Sequence, residues 1–280
     1  MPFPLLGWYK FCRNPLSIVG LFLVAIIVLS ACFASYIAPY PRHAGSFVDF
    51  ANANRSPDTQ YWLGTDNIGR DLLSRIIYGY RVSLMLGIVV LSLAVPIGVM
   101  LGLAAGYFGG WADYLIMRVT DVFLAVPPLV LAMAIMGLLE PTLTNAMLAV
   151  SAMWWPWYAR LAYNMARSES REDYVVAAKV IGAGPFHLLL REILPNCIPT
   201  ILTKVTLDLG FVIMIASSLS FLGLGVQPPT PDLGSMVANG VQYLPDTWWV
   251  VLFPALAILF AVLGFNLLGD GLRDATDQRI

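Results

Sequence analysis

Two pairs of opposite charges lie inside apolar sequence: Lys204 with Asp208, four residues apart, and Arg118 with Asp121, three apart. On a helix each spacing puts both charges on one face, where each lowers the cost of the other in hydrocarbon. Such a pair reads either as an ion pair that fixes helix position or as the lining or gate of a path through the bilayer. Thr203, Thr206, Ser217, Ser218 and Ser220 add hydroxyls along the Lys204 stretch, a composition that suits a helix facing water, solute or another helix. Bond-making chemistry is not legible. His43 and His187 lie far apart and read as solvated loop residues, so neither a metal cluster nor a Ser-His-Asp constellation assembles. Cys12, Cys32 and Cys197 are odd in number and lack a Cys-x-x-Cys spacing, which predicts free thiols. The glycine-punctuated run Gly64–Arg70 is not a phosphate-binding Gly-x-x-x-x-Gly-Lys box, and none occurs elsewhere. A nucleotide that drives this chain must therefore bind another polypeptide.

The elements that position these residues are membrane spans. Hydrophobic residues make up 59% of the 280 and charged residues 12%, about half the charge of an ordinary soluble domain. Mean hydropathy is +0.75. The 16 basic and 17 acidic residues leave no basic excess to hold nucleic acid. Apolar runs near twenty residues predict six spans, at 17–38, 83–106, 114–138, 142–161, 199–222 and 247–269. Lys10 and Arg13 precede the first run, and Leu29-Ser30-Ala31-Cys32 resembles a lipoprotein cleavage box, but the run continues to Ala38 and reads as an uncleaved span.

Basic residues set the orientation. Lys10 and Arg13 in the N-tail, Arg167, Arg171, Lys179 and Arg191 in the 162–198 loop, and Arg273 and Arg279 in the C-tail place both termini in the cytoplasm, and the 223–246 loop has no basic residue. Arg42, Arg55, Arg70, Arg75 and Arg81 then face outward against that rule, with four aspartates beside them. Residues 71–81 carry Leu72, Leu73, Ile76, Ile77 and Tyr80 at helical spacing, which predicts an interfacial helix ahead of the second span. Within that span Gly98, Gly102 and Gly106, with Ala94 before and Gly110 after, form a four-residue ladder suited to close helix packing. Pro96 and Pro127-Pro128 remove backbone donors, which favours a mobile multi-helix assembly over an anchor. The 223–246 loop, with Gln227-Pro228-Pro229-Thr230-Pro231 and then Trp248-Trp249, reads as a contact for an outer partner or as a stiff turn with interfacial anchors.

Residues 166–196 interrupt the apolar pattern with a polar loop. Acidic Glu169, Glu172 and Asp173 precede a helix-compatible run to Ile181, which Gly182, Gly184 and Pro185 stop. A second short helix from Phe186 to Leu194, closed by Pro195, completes an expected two-armed knob.

The cadence Ala177-Ala178, Gly182, Leu194-Pro195 resembles the EAA loop of bacterial ABC-importer permeases, and the likeness extends along most of the chain. Leu63–Asp66, Gly69–Asp71, Ser74-Arg75, Tyr78-Gly79, Pro156 with Tyr158–Arg160, Tyr174 through Asn196, Ser220–Pro231 and Asn266–Asp274 resemble the C-type permease subunit of dipeptide, oligopeptide and nickel importers. The resemblance implies an all-α polytopic protein with six transmembrane helices and the type I ABC importer (MetI-like) permease fold. Residues 1–82 would hold the tail, first span and outer loop, and 83–280 the five-helix core.

It also implies a multi-pass subunit of the bacterial inner membrane that binds no cofactor and catalyses no reaction. A second, B-type permease, two ATP-binding subunits carrying ATP and Mg, and an extracytoplasmic binding protein would complete the importer. Tyr174, Ala177, Ala178, Gly182, Ala183, Pro185, Leu194 and Pro195 would couple it to the ATPases, while Arg118, Asp121, Lys204, Asp208 and Ser217 are expected on the path or gate. Val176 stands where the family has its signature glutamate, Glu192 replaces an isoleucine, and Asp277-Gln278-Arg279 replaces a common Asp-Pro-Arg. Peptides are the first cargo by this resemblance and nickel or another small solute the second. An ion-coupled carrier acting alone and a non-transporting scaffold are the alternatives from the residues.

Overall fold

A computed structural model describes residues 9–276; Arg279 and the rest of the Asp277-Gln278-Arg279 tail lie outside them. The described chain is helical, with one isolated bridge, Thr65 to Asp71. Helix α1 (Pro15–Cys32) starts where the Asn14 side chain accepts from the Leu16 amide at 3.0 Å and Pro15 needs no donor. It stops at Phe33, and a separate turn, Ala34–Ile37, completes the expected first span. Helix α2 (Leu72–Phe108) is capped by Asp71, which accepts from Ser74 N at 2.8 Å, and ends at Gly109, whose φ is +65°. Then come α3 (Gly110–Ala125), α4 (Pro128–Met136), α5 (Leu143–Glu169), α6 (Asp173–Val180), a single turn Pro185–His187, a π-helical stretch Leu188–Ile193, α7 (Leu194–Phe221), α8 (Leu233–Val241) and α9 (Trp248–Thr276).

Among the described residues, four helical runs are long and apolar enough to cross a bilayer: α1, α2, Pro185–Phe221 and Trp248–Ala275. The α3–α4 pair, bent by 90° at Pro127-Pro128, makes a fifth if it crosses as one broken span. The remaining expected span, 142–161, lies in α5, whose 27 residues are long enough but fall short in apolarity. This helix faces protein, with Tyr158, Ala159, Ala162 and Ala166 all at 0% exposure.

Two expected short helices are corrected. Residues 71–81 form no separate interfacial element. They open the 37-residue α2, about 55 Å long against a hydrocarbon thickness of about 30 Å, because Asp71 caps the run and nothing breaks it before Gly109. Pro195 does not end the second knob helix either. The π-helical stretch just before it changes the bonding register, so the proline enters the first turn of α7, where its missing donor costs little, and the chain runs on as helix.

The glycine ladder packs α2 against α5. A methyl on Gly98 would lie 2.7 Å from Tyr158 Cβ, one on Gly102 2.8 Å from Ala162 Cβ, and one on Gly106 2.6 Å from the Tyr163 carbonyl. Backbones therefore meet where side chains would otherwise stand. Gly110 is not part of this ladder, since it lies beyond the end of α2 and a methyl on it would meet only open space.

His43, expected to be solvated, is 6% exposed and sits in a polar knot at the start of α2. Its Nδ1 accepts from Asp71 N at 2.9 Å and its ring stacks on Phe47 with centroids 4.0 Å apart. Arg70 Nε lies 2.7 Å from Asp66 Oδ2, and Arg75 Nε 3.7 Å from the same oxygen. Arg55 pairs with Asp58 at 2.8 Å. Three of the five basic residues that break the orientation rule thus have carboxylates at hand. The 223–246 loop folds down as well, with α8 capped by Asp232 and its Gly234 against the Ser217 backbone.

Candidate functional site

Lys204 and Asp208 occupy successive turns of α7, and their side chains meet with Nζ 2.9 Å from Oδ1. Asp208 is fourteen residues from the start of the 28-residue α7, about 21 Å along it and close to its midpoint. Its side chain is 4% exposed and that of Lys204 is 31% exposed. The second carboxylate oxygen of Asp208 accepts from Trp154 Nε1 of α5 at 3.0 Å. Lys204 Nζ lies 5.7 Å from the centre of the Tyr158 ring and 6.0 Å from that of Trp157, where the ring faces favour a cation. Charge, counter-charge and aromatic ring therefore come from two helices.

Among the described residues, three hollows follow α7. One of about 460 Å³ lies beside Pro199, Thr200, Thr203, Lys204 and Arg273. The next, about 380 Å³, is lined by Trp154, Trp157, Lys204, Asp208, Phe211 and Met214, with Pro128 of the broken span on its wall. A third of about 410 Å³ takes in Met214, Ser217, Ser218 and Phe221. Lys204 lines the first two, and Met214 the last two. Ser217 is only 5% exposed at this third hollow.

The other expected pair does not form. Arg160 of α5 forms the ion pair with Asp121, while Arg118 turns to the Tyr114 ring, 5.4 Å away. The i, i+3 spacing makes the pair possible, but a guanidinium on the facing helix meets the carboxylate and Tyr114, four residues back, offers Arg118 a ring face.

At the far end of α5 the knob is built on its underside and apolar on its tip. Val175, Leu188, Leu189 and Ile193 are buried in the main core, with Ala178, Ala183 and Leu194 packed against it. Ala177, Pro185 and Pro195 lie on the exposed side. Gly182, at φ +93°, closes α6: its amide bonds to Lys179 O at 3.1 Å and that of Ala183 to Ala178 O at 3.0 Å. This double closure needs a left-handed residue, which glycine supplies without strain.

The Tyr174 hydroxyl donates to the Glu169 carboxylate and accepts from Asn196 Nδ2 at 3.0 Å, tying the ends of α5, α6 and α7 together. Desolvation and then that carboxylate push the phenol's pKa up. Glu192 pairs with His187 at 3.3 Å. Val176 is 47% exposed, Phe186 75%, Val180 80% and Ile181 86%, so the tip is greasy where it faces away from the bundle. Sequence reasoning misses Trp154, Arg160 and Asn196 as partners. Their contacts span 54, 39 and 22 residues, and only the run Trp154-Trp155-Pro156-Trp157-Tyr158 hints at an unusual face.

A helical bundle with four or five runs able to cross a bilayer among the described residues, hollowed along one helix and carrying a knob at one end, has the architecture of a polytopic membrane protein. The chain belongs to the family described as the binding-protein-dependent transport system inner membrane component, whose profile matches residues 98–280. Residues 6–57 match the N-terminal TM domain of oligopeptide transport permease C. The chain is 42% identical over 277 residues to the di/tripeptide transport system permease protein DppC of Pseudomonas aeruginosa, covering 98% of this chain and 91% of that protein. It is 41% identical to the probable D,D-dipeptide transport system permease protein DdpC of Escherichia coli K12, covering 95% and 88% respectively. It is also 41% identical to the glutathione transport system permease protein GsiD of E. coli O6:K15:H31, covering 98% and 89%. A chain of the inward-facing MetNI methionine ABC transporter superposes with a TM-score of 0.57 at 18% identity, covering 72% of this chain and 96% of that one, which shows a shared fold. The protein is thus an inner-membrane permease component of a binding-protein-dependent transport system, a multi-pass membrane protein.

Proposed function

We propose that this permease imports short peptides and that the 166–196 knob receives the work of separate ATPases. The observation that carries the coupling is the knob itself: its underside is fixed in the core and its tip leaves Val180, Ile181 and Phe186 uncovered. An apolar tip on a built pedestal suits a partner's cleft. The relatives named for di/tripeptides, D,D-dipeptides and glutathione support a peptide cargo.

In this reading both termini and the knob face the cytoplasm, and a B-type permease pairs with this chain across the α7 hollows. Two ATPases carrying ATP and Mg dock at Tyr174–Pro195. An extracytoplasmic binding protein delivers substrate on the side of the His43 knot and α8. ATP closure moves the knob and opens the bundle outward, and hydrolysis restores the inward state. Lys204, Asp208 and Ser217 line the path. Asp121 braces α3 to α5 through Arg160, and Arg118 lies on the same helix beside Tyr114.

The test is Gly182→Val in the assembled transporter. A β-branched residue held at φ +93° is strained by about 1–2 kcal/mol or more, whereas Gly182→Asn tolerates the conformation better. Expected are intact membrane insertion, continued ATP hydrolysis and lost peptide uptake for valine, with asparagine between valine and wild type. Wild-type uptake by the valine variant would refute the coupling role. Labelling of Ser170→Cys only from outside the cell would refute the orientation.

A further inference from the structure

The Lys204–Asp208 ion pair is asymmetric. Asp208 has both carboxylate oxygens engaged, one by Lys204 at 2.9 Å and one by Trp154 at 3.0 Å, and is almost wholly buried. It has little room for an incoming ammonium group. Lys204 is different: one contact is to Asp208, two ring faces lie about 6 Å away, and its ammonium has three donors. Rings favour the cation but fill no hydrogen bond as a carboxylate oxygen does. The same lysine borders two successive hollows of about 460 and 380 Å³, sizes within the range of small-ligand pockets. The walls of the second are chiefly aromatic and aliphatic, a surface that accepts varied side chains without selecting among them.

We infer that Lys204 binds the terminal carboxylate of the peptide in transit, held in place by Asp208 and Trp154, so that the permease itself selects for a free C-terminus. This rests on the peptide-import reading above. Asp208 and Trp154 are positioning residues: they fix the ammonium at the junction of the two hollows. Every short peptide with a free C-terminus presents that group whatever its side chains, which reconciles the Lys204 charge with the chiefly apolar wall of the second hollow, while Arg273 borders the first hollow as well.

The experiment uses the complete transporter in proteoliposomes, fed alanyl-alanine or alanyl-alanine amide by its binding protein at saturating concentration. Lys204→Met should lower uptake of the free acid by about tenfold or more, the worth of one charge-assisted hydrogen bond, and bring the acid-to-amide ratio toward one. Lys204→Arg should keep the preference. In the wild-type complex, the free acid should slow reductive methylation of Lys204, read by mass spectrometry, and the amide should not. That measurement decides the matter even where Lys204→Met fails to assemble. An unchanged acid-to-amide ratio in Lys204→Met, or equal protection by both peptides, overturns the assignment of Lys204 alone. A wild-type complex that moves neither peptide overturns the peptide reading with it.

Discussion

Gly102→Ala measures the closeness of α2 and α5 directly. The added methyl would lie 2.8 Å from Ala162 Cβ and 2.9 Å from Tyr163 N, and closer still to the Ala159 carbonyl oxygen. Carbon atoms pack best at about 3.5–4.0 Å, so the helices must part by about 0.7 Å or more. Local relief is blocked, because Gly98 and Gly106 hold the same two backbones together one turn away on either side. A radial gap of about 0.5–1 Å forfeits a quarter to a half of the dispersion attraction along the seam. Overpacking of this kind costs about 1–3 kcal/mol, and the rigid neighbours put Gly102→Ala at the upper end, about a hundredfold in the folding equilibrium.

The assay is SDS-induced unfolding of the purified chain in mixed micelles, with Gly184→Ala as control. Gly184 has φ −73° and open space where a methyl would stand, so its substitution should be neutral or stabilise by up to about 1 kcal/mol. Equal midpoints for the two variants would refute the account of the seam.

Trp154→Phe removes the donor to Asp208 Oδ2 and leaves a buried acceptor unpaired; a loss of about 1–3 kcal/mol in the same unfolding assay is expected, and a change below about 0.5 kcal/mol would show that the oxygen finds another donor. Arg160→Ala removes the ion-pair partner of Asp121 and should lower the midpoint in the same assay, and an unchanged midpoint would show that this pair does not brace α3 to α5. Burial is the main cause that lowers the His43 pKa, so the folded chain binds its proton less readily than the unfolded chain does. The stabilisation is therefore complete above the unfolded value of about 6.5 and declines as pH falls through 6.5 toward the lower folded value. Hydrogen exchange at the Asp71 amide should quicken between about pH 7 and pH 5 beyond the intrinsic pH effect, and His43→Gln should remove that excess.

Sequence makes legible what a single helix contains. Lys204 and Asp208 share one, so their spacing suffices, and the four-residue glycine ladder carries its own register. Gly182 is legible as a stop because the closing turn is local. Arg118 and Asp121 fail by the same logic: their spacing permits a pair, but the choice of partner lies with Arg160 on another helix. Helix α5 shows a second limit, since a span shielded by protein needs less apolarity than one facing lipid. Pro195 reads as a terminator only if the preceding turn is α-helical, and the π-helical stretch removes that premise. His43 misleads because its burial comes from Tyr40, Phe47, Tyr61 and Asp71 closing around it, not from any apolar run.

From Pro185 to Phe221 the chain is one unbroken helical body of 37 residues. Phe186 at the knob tip and Asp208 in the hollow are therefore in fixed angular phase, 22 residues apart on a single shaft. Removing or adding one residue between them would turn one end against the other by about 100°. The π-helical stretch is the single place where that phase is already offset. Side chains along the shaft can drift, but its length cannot, and tolerance of insertions should vanish there.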